Sequence, residues 1–189
     1  MANRAYLYST NSIPTKENEG KWTVKGLNEN AKYPPYSFML LASGDTKVCD
    51  SVIWNTKNGV VGTYKKGVEQ LKKFLSYLKK EIKDNAKEFD SYCEKTLAFL
   101  EDKNNQQEYI LLEAQEIFDL NTYVNHAKNL TGKGKLYTTP EELVSLIQKF
   151  NNDETLKALA KITTDHWKED VLLDGWSSIL YFDFSKKKE

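Results

Sequence analysis

The sequence has no excess of charge of either sign, because 27 basic residues balance 27 acidic ones. Proteins that bind nucleic-acid backbones usually carry a basic excess, since their cations replace the counterions of the phosphates. We therefore expect no nucleic-acid partner. Arginine is almost missing: Arg4 stands alone beside 26 lysines. Because the planar guanidinium suits carboxylates and phosphates, a bidentate clamp for such groups has one candidate, although an AT-rich genome explains the bias more simply.

Cysteine and histidine are scarce as well. Cys49 and Cys93 have no metal-binding spacing, and His126 and His166 belong to no zinc motif. Either cysteine could in principle pair with either histidine as a nucleophile and its general base. Because no sequence neighbour would activate either thiol, we expect structural cysteines. The glycines of GVVGTYKKG (59–67) fit neither a Walker loop nor a dinucleotide-binding fingerprint. We predict no metal, no cofactor and no catalytic residue.

Long apolar runs are missing too. No stretch approaches the ~18 residues that a membrane helix requires, and residues 1–10 lack the apolar core of a signal peptide. We therefore expect a cytoplasmic protein with no membrane partner. Hydrophobic residues make up 40% and charged residues 29%, which is typical of a globular chain. The length of 189 residues favours a single α+β domain spanning residues 1–189.

Alternating apolar patterns are present at both ends of the chain and in its middle. Strands are predicted at 4–10 and 177–184, where apolar and polar residues alternate, and at 108–114, which is short and apolar. The segment KWTVKGL (21–27) indicates a shorter strand. We expect the first and last of these strands to be neighbours or near neighbours in one sheet. In that arrangement Arg4 would meet Asp183 across a tyrosine-lined surface.

A hairpin is predicted after the tyrosine–proline segment YPPY (33–36). The apolar runs YSFMLLA (36–42) and KVCDSVIW (47–54) flank the short turn SGDT, which is typical of two paired strands. The second run also suits a short helix or an irregular segment, and this alternative stays open.

Helical spacing dominates the rest of the sequence. Apolar residues recur at steps of three and four from Val68 to Ile82, which predicts a long amphipathic helix. Thr139, Pro140 and Glu142 form a typical helix start, with a capping residue, an N1 proline and a capping-box glutamate. The predicted helical segments are 63–85, 86–102, 115–130, 138–150, 153–162 and 165–176. This order predicts an α+β fold with an antiparallel or mixed sheet that includes the N- and C-terminal strands and is covered by several amphipathic helices.

Aromatic residues are the most suggestive candidates for function. Tryptophan and tyrosine combine contact area with a polar group and are enriched at binding hot spots, although a core also needs large side chains. Several of them fall in or beside loops and strand ends of the first third. The candidate binding residues are Trp22, Tyr33, Tyr36, Trp54, Arg4 and Tyr8.

Three segments resemble a known family: NRAYLYS, GLNENAKYPPYSFMLLAS and SVIWNTKNGVVGTYKKGVEQLKKFL. They are similar to an uncharacterised bacterial family of small soluble proteins that open with Asn-Arg-Ala-Tyr-Leu, over roughly the first 80 residues. This resemblance implies no activity, substrate or cofactor. The chain is also loosely similar to the small α+β immunity proteins that neutralise bacterial toxins. We expect a non-enzymatic protein-binding module, and the immunity-like resemblance implies that its partner is a toxin or an effector. The alternative is an enzyme with an unrecognised active site near Arg4 and the first hairpin.

Overall fold

The computed structural model describes residues 3–31, 33–118 and 137–184. These ranges contain the strands β1 (Arg4–Thr10), β2 (Val24–Ala31), β3 (Lys47–Cys49), β4 (Gly59–Thr63) and β5 (Tyr109–Glu113). The five strands form one sheet in the order β2-β1-β5-β4-β3, and every neighbouring pair is antiparallel. The predicted α+β class and antiparallel sheet are confirmed.

The helices of the described ranges mostly lie where the spacing predicts them. They are α1 (Tyr36–Leu41), α2 (Tyr64–Glu81), α3 (Ala86–Glu101), α4 (Gln115–Phe118), α5 (Pro140–Gln148), α6 (Asp153–Thr163) and α7 (Trp167–Val171). Short 3₁₀ turns occupy Lys16–Asn18, Lys149–Asn151 and Thr164–His166. The predicted helix at 115–130 begins as α4, and its remainder, with His126, lies outside the described residues.

The inner face of the sheet packs against the helices and forms the main core. Leu7, Val60 and Leu112 occupy one row across three strands and are fully buried. Helix α2 crosses α1 so closely that a Cβ on Gly67 would lie 1.8 Å from the carbonyl oxygen of Leu41. Glycine is therefore required at this crossing, because any side chain would separate the two helices.

The predicted hairpin of 36–42 with 47–54 is wrong. Residues 36–41 form α1, all of whose side chains are buried, and the N–H groups of Phe38 and Met39 donate to the carbonyl of Pro35. Periodicity cannot separate a buried strand from a buried helical turn when the apolar run is short. The hairpin that does form joins β3 to β4, and residues 50–58 connect the two strands.

The predicted C-terminal strand is also wrong. Residues 177–184 contain no strand, because β1 already pairs with β2 on one side and with β5 on the other. We call this segment the C-terminal strap. It lies over the outer face of the sheet, with Leu180 buried and Ile179 and Tyr181 exposed by 75% and 64%. The alternating pattern that predicted a strand therefore belongs to an extended segment that packs against the sheet with one of its two sides.

The ion pair of Arg4 differs from the prediction as well. Its Nη1 lies 3.0 Å from Oε1 of Glu29 on the neighbouring strand β2, and its guanidinium lies 5.3 Å from the ring centre of Tyr181. The pairing with Asp183 depended on adjoining first and last strands, and that premise does not hold. Arg4 thus fixes β1 to β2 at the rim of the outer face.

Candidate functional site

The outer face of the sheet carries a second, aromatic cluster. Tyr6 and Tyr8 project from β1 and are almost fully buried under the C-terminal strap. Ring centres of Tyr6 and Phe182 lie 5.3 Å apart, those of Tyr8 and Phe184 lie 5.6 Å apart, and both pairs meet edge to face. Trp54 extends the cluster, because its ring lies 5.8 Å from Phe182. Such edge-to-face pairs contribute beyond the area that they bury.

A cleft of about 320 Å³ opens beside this cluster, between residues 14–22 and residues 50–56. We call it the tryptophan cleft, since Trp22 and Trp54 both line it and both are half-buried. The remaining lining residues are Pro14, Thr15, Lys16, Glu19, Asp50, Ser51, Val52, Ile53, Asn55 and Thr56. The wall is thus aromatic, with charges of both signs along it.

Two hydrogen bonds join the two sides of the tryptophan cleft. The backbone N–H of Lys16 donates to Oδ2 of Asp50 over 2.8 Å, and the N–H of Asp50 donates to the carbonyl of Pro14 over 3.2 Å. Thr15 precedes a 3₁₀ turn that begins at Lys16, and its N–H donates to Oδ1 of Asn18 over 2.8 Å. Local turn chemistry therefore holds the cleft in shape without a regular strand or α-helix on either side.

The indole nitrogen of Trp22 is the unusual atom of the cleft. Its N–H is buried and has no hydrogen-bond partner within the described ranges. An unpaired buried donor typically costs about 1–3 kcal/mol. Among the described residues, the hydrogen-bonding capacity of this buried group is therefore unused.

The loop that carries Trp54 is held in place by hydrogen bonds to the carboxylate of Glu113. Oγ of Ser51 donates to Oε2 of Glu113 over 2.9 Å, and the N–H of Val52 donates to Oε1 over 2.8 Å. The same Ser51 oxygen accepts the N–H groups of Ile53 and Trp54 over 3.1 and 2.9 Å. Ser51 therefore links the buried Glu113 to the backbone of Trp54, which lines the cleft.

Glu113 is a carboxyl group inside the protein. It is fully buried at the end of β5, in a row with Tyr6 and Gly59. Burial raises the pKa of Glu113 from its usual 4.5 to about 7, and the hydrogen bonds from Val52 and Ser51 oppose this rise. A Cβ on Gly59 would lie 2.9 Å from Sγ of Cys49, so the sheet packs tightly at this row.

Glu113 is not among the residues that the sequence singled out. A signal was available, because Leu111 and Glu113 share one face of a strand whose neighbours are apolar. A carboxylate at the inward position of such a strand indicates a buried hydrogen-bonded group. The sequence pattern does not identify the hydrogen-bond partner of Glu113, because Ser51 lies 62 positions away in the chain.

The structure places the six predicted binding residues in five locations. Trp22 and Trp54 come together in the tryptophan cleft, while Tyr8 lies beneath the C-terminal strap with its hydroxyl donating to the carbonyl of Phe182. Arg4 lies at the rim, as described above. Tyr36 is 1% exposed in the main core, and the half-buried Tyr33 donates to the carbonyl of Glu169 over 3.3 Å. Their role in binding stays a prediction.

The cysteines do not offer a reactive thiolate. Cys49 is buried and Cys93 half-buried, and neither forms a disulfide. Burial, with nearby carboxylates, raises the pKa of the Cys49 thiol well above its usual range and that of Cys93 to about 12. Both thiols are therefore protonated at neutral pH, which agrees with a structural role.

A second groove, of about 390 Å³, lies between α2 and α6. Its centre is Tyr77, and its walls carry Lys80, Lys157 and Lys161 together with glutamates. Lys157 pairs with Glu154 over 3.0 Å, and the other charges of this surface are similarly exposed. Exposed pairs of this kind are weak and carry little specificity, so we do not regard this groove as the main site.

Residues 3–31, 33–118 and 137–184 include no group of three or more histidine, cysteine or acidic side chains that could hold a metal ion. In the same residues no helix has the length and apolar character needed to cross a membrane.

Comparison with known proteins gives one match. A family model described as a domain of unknown function (DUF7822) matches residues 11–162, which include both sides of the tryptophan cleft and Glu113. No curated protein and no solved structure matches the chain.

Proposed function

The chain belongs to the DUF7822 family, a domain of unknown function, and from the geometry of the tryptophan cleft we propose that it is a non-enzymatic protein-binding module. It acts in a bacterial cytoplasm, and its partner is a toxin or effector protein that it holds in the manner of an immunity protein. The observation that carries the proposal is the meeting of Trp22 and Trp54 in one open cleft. Tryptophan is among the residues most enriched at the energetic centres of protein interfaces.

The composition of the cleft supports a protein partner. Its half-buried indoles offer apolar area that a partner side chain can cover, and Lys16, Glu19 and Asp50 form a polar rim of mixed sign. Interfaces between proteins combine an aromatic centre with such a rim.

A binding measurement with matched variants tests the proposal. The purified protein is titrated with the product of a toxin or effector gene that neighbours its own gene, and affinity is measured by biolayer interferometry. Trp22→Ala and Trp54→Ala are each expected to weaken binding at least tenfold, as truncation of a hot-spot residue does. Trp176→Phe is the control, because Trp176 is half-buried elsewhere and donates to Thr96. Equal affinity of all four proteins would contradict the proposal.

One observation favours a second candidate, an enzyme whose site lies at the hairpin loop. Glu113 has a pKa near neutrality, which is the range of a general acid or base. Against this, both of its oxygens already accept hydrogen bonds from Ser51 and Val52, and it is fully buried beneath the loop. A substrate would reach it only after the loop had moved. Glu113→Gln distinguishes the two, because loss of a catalytic base would abolish turnover while leaving partner affinity within about threefold.

A further inference from the structure

The C-terminal strap occupies the outer face of the sheet as a bound peptide would. Leu180, Phe182 and Phe184 pack onto the aromatic cluster, whereas Ile179 and Tyr181 point away and are exposed. Because Leu180, Phe182 and Phe184 are two positions apart, their side chains lie on the same side of an extended segment. The outer face is thus complementary to an extended segment with large apolar residues at alternate positions.

The strap is held by side chains rather than by a strand ladder. Within the described part of the chain, its backbone hydrogen bonds to the sheet layer are few: Ser177 N–H to the Leu27 carbonyl over 3.0 Å, Tyr181 N–H to Oε2 of Glu29 over 2.8 Å, and the Phe182 carbonyl from the Tyr8 hydroxyl over 3.0 Å. A competing segment can reproduce each of these contacts, because they use only the strap's backbone.

The chain before the strap contains two residues with positive φ. Leu172 has a φ of 56° and Gly175 a φ of 72°, and both lie between the end of α7 and the strap. A left-handed conformation is costly for leucine, so its retention requires the contacts around it, which include the bond from Ser37 Oγ to the Leu172 carbonyl. The carbonyls of Leu173 and Asp174 also accept hydrogen bonds, from Thr96 and Asn28, so residues 172–174 stay anchored when the strap detaches after Trp176. Because the strap is not a strand of the sheet, its release leaves the sheet intact.

We propose that the outer aromatic face is a second binding surface, which accepts from a protein partner an extended segment of the pattern Leu-x-Phe-x-Phe in place of the C-terminal strap. This surface adjoins the tryptophan cleft, with which it shares Trp22, Val52, Ile53 and Trp54. The cis strap competes at an effective concentration of about millimolar, as tethered segments do. A free segment therefore binds weakly to the intact protein and more tightly when the strap is weakened.

A fluorescent peptide of residues 177–184 is the probe, titrated into the full-length protein and followed by anisotropy. The variant Phe182→Ala/Phe184→Ala, whose strap has lost two of its anchors, is expected to bind the peptide at least about tenfold more tightly than the unsubstituted protein. The control is the same peptide with Leu180→Ser, Phe182→Ser and Phe184→Ser, which should not bind. Equal binding of both peptides, or equal affinity of both proteins, overturns the proposal.

A second measurement needs no folded variant. The unsubstituted protein, labelled with ¹⁵N, is mixed with unlabelled peptide at roughly 10 mM, above the effective concentration of the tethered strap, and its amide signals are followed by two-dimensional NMR. Displacement of the strap is expected to shift the amide signals of residues 177–184 toward positions typical of a mobile chain, while those of β5 stay dispersed. If excess peptide leaves the strap signals unchanged, the face is not exchangeable and the proposal fails.

Discussion

Oγ of Ser51 lies 2.9 Å from Oε2 of Glu113, so a loop residue and a buried strand residue 62 positions apart share one hydrogen bond. Through this bond the carboxyl group inside the protein supports the loop that carries Trp54. The ionisation of Glu113 and the shape of the tryptophan cleft are therefore linked.

The unfolding free energy should fall as the pH rises from about 5 to 8. Glu113 has a pKa of about 7 in the folded protein against the usual 4.5, so the folded state holds this proton more tightly than the unfolded state does. Stability from this group is complete below pH 4.5 and is lost as the pH passes 7, by on the order of 3 kcal/mol. Urea unfolding at several pH values measures it.

Glu113→Gln provides the control for this pH dependence, because the amide does not titrate. The variant's unfolding free energy should be nearly level between pH 5 and 8. Asp45 and Asp153 do not obscure the effect, since hydrogen bonds from lysines lower their pKa below this window. An equally steep fall in the variant would show that another group is responsible.

Ser51→Ala should destabilise the protein by roughly 2–3 kcal/mol. The substitution removes a donor to the Glu113 carboxylate and leaves the N–H groups of Ile53 and Trp54 without their acceptor. Ser76→Ala is the matched control, because Ser76 is exposed on α2 and bonds only locally, to the carbonyl of Lys73. Thermal unfolding compares the two; similar midpoints would mean that the loop is held by other contacts.

Gly67→Ala should also be destabilising, although alanine favours helix by about 1 kcal/mol. The added Cβ would meet the Leu41 carbonyl oxygen at 1.8 Å, so α1 and α2 would have to separate. We expect a loss of roughly 2 kcal/mol or more from this overpacking. Glu69→Ala, at an exposed position of the same helix, should change the unfolding free energy by less than about 0.5 kcal/mol. A stabilised Gly67→Ala protein would contradict the described helix crossing.

Trp22→Phe separates the indole N–H from the aromatic area. The isolated protein should keep its unfolding free energy within about 0.5 kcal/mol or become more stable, because the N–H removed has no partner in the described structure. Partner affinity should change by less than about threefold, because the indole N–H is buried within the chain and phenylalanine keeps most of the aromatic contact area. A large loss of stability would show instead that the indole N–H is satisfied in solution.

The sequence predicts the periodic parts of this fold well. The stripe from Val68 to Ile82 corresponds to α2, and Thr139 accepts the N–H of Glu142 as a capping residue should. Long amphipathic patterns and caps are local signals, and they survive folding because tertiary contacts reinforce them. The two errors, at 36–42 and 177–184, concern short apolar segments whose conformation is decided by what covers them.

The candidate site was only partly predictable. Trp22 and Trp54 were singled out by residue type, yet their meeting depends on the bond between Lys16 and Asp50, which joins positions far apart in the chain. Tyr36 was chosen by the same reasoning and is a core residue, because residue type alone does not distinguish an interface aromatic from a buried one. Long-range pairing, which sequence patterns do not encode, made the difference in each case.

Hydrogen–deuterium exchange of the protein with and without its toxin or effector partner tests the central claim most directly. Binding at the tryptophan cleft predicts that the partner slows exchange in residues 14–22 and 50–56, with no comparable change along the groove between α2 and α6. Protection confined to that groove, with the two cleft segments exchanging as fast as in the free protein, would contradict the account.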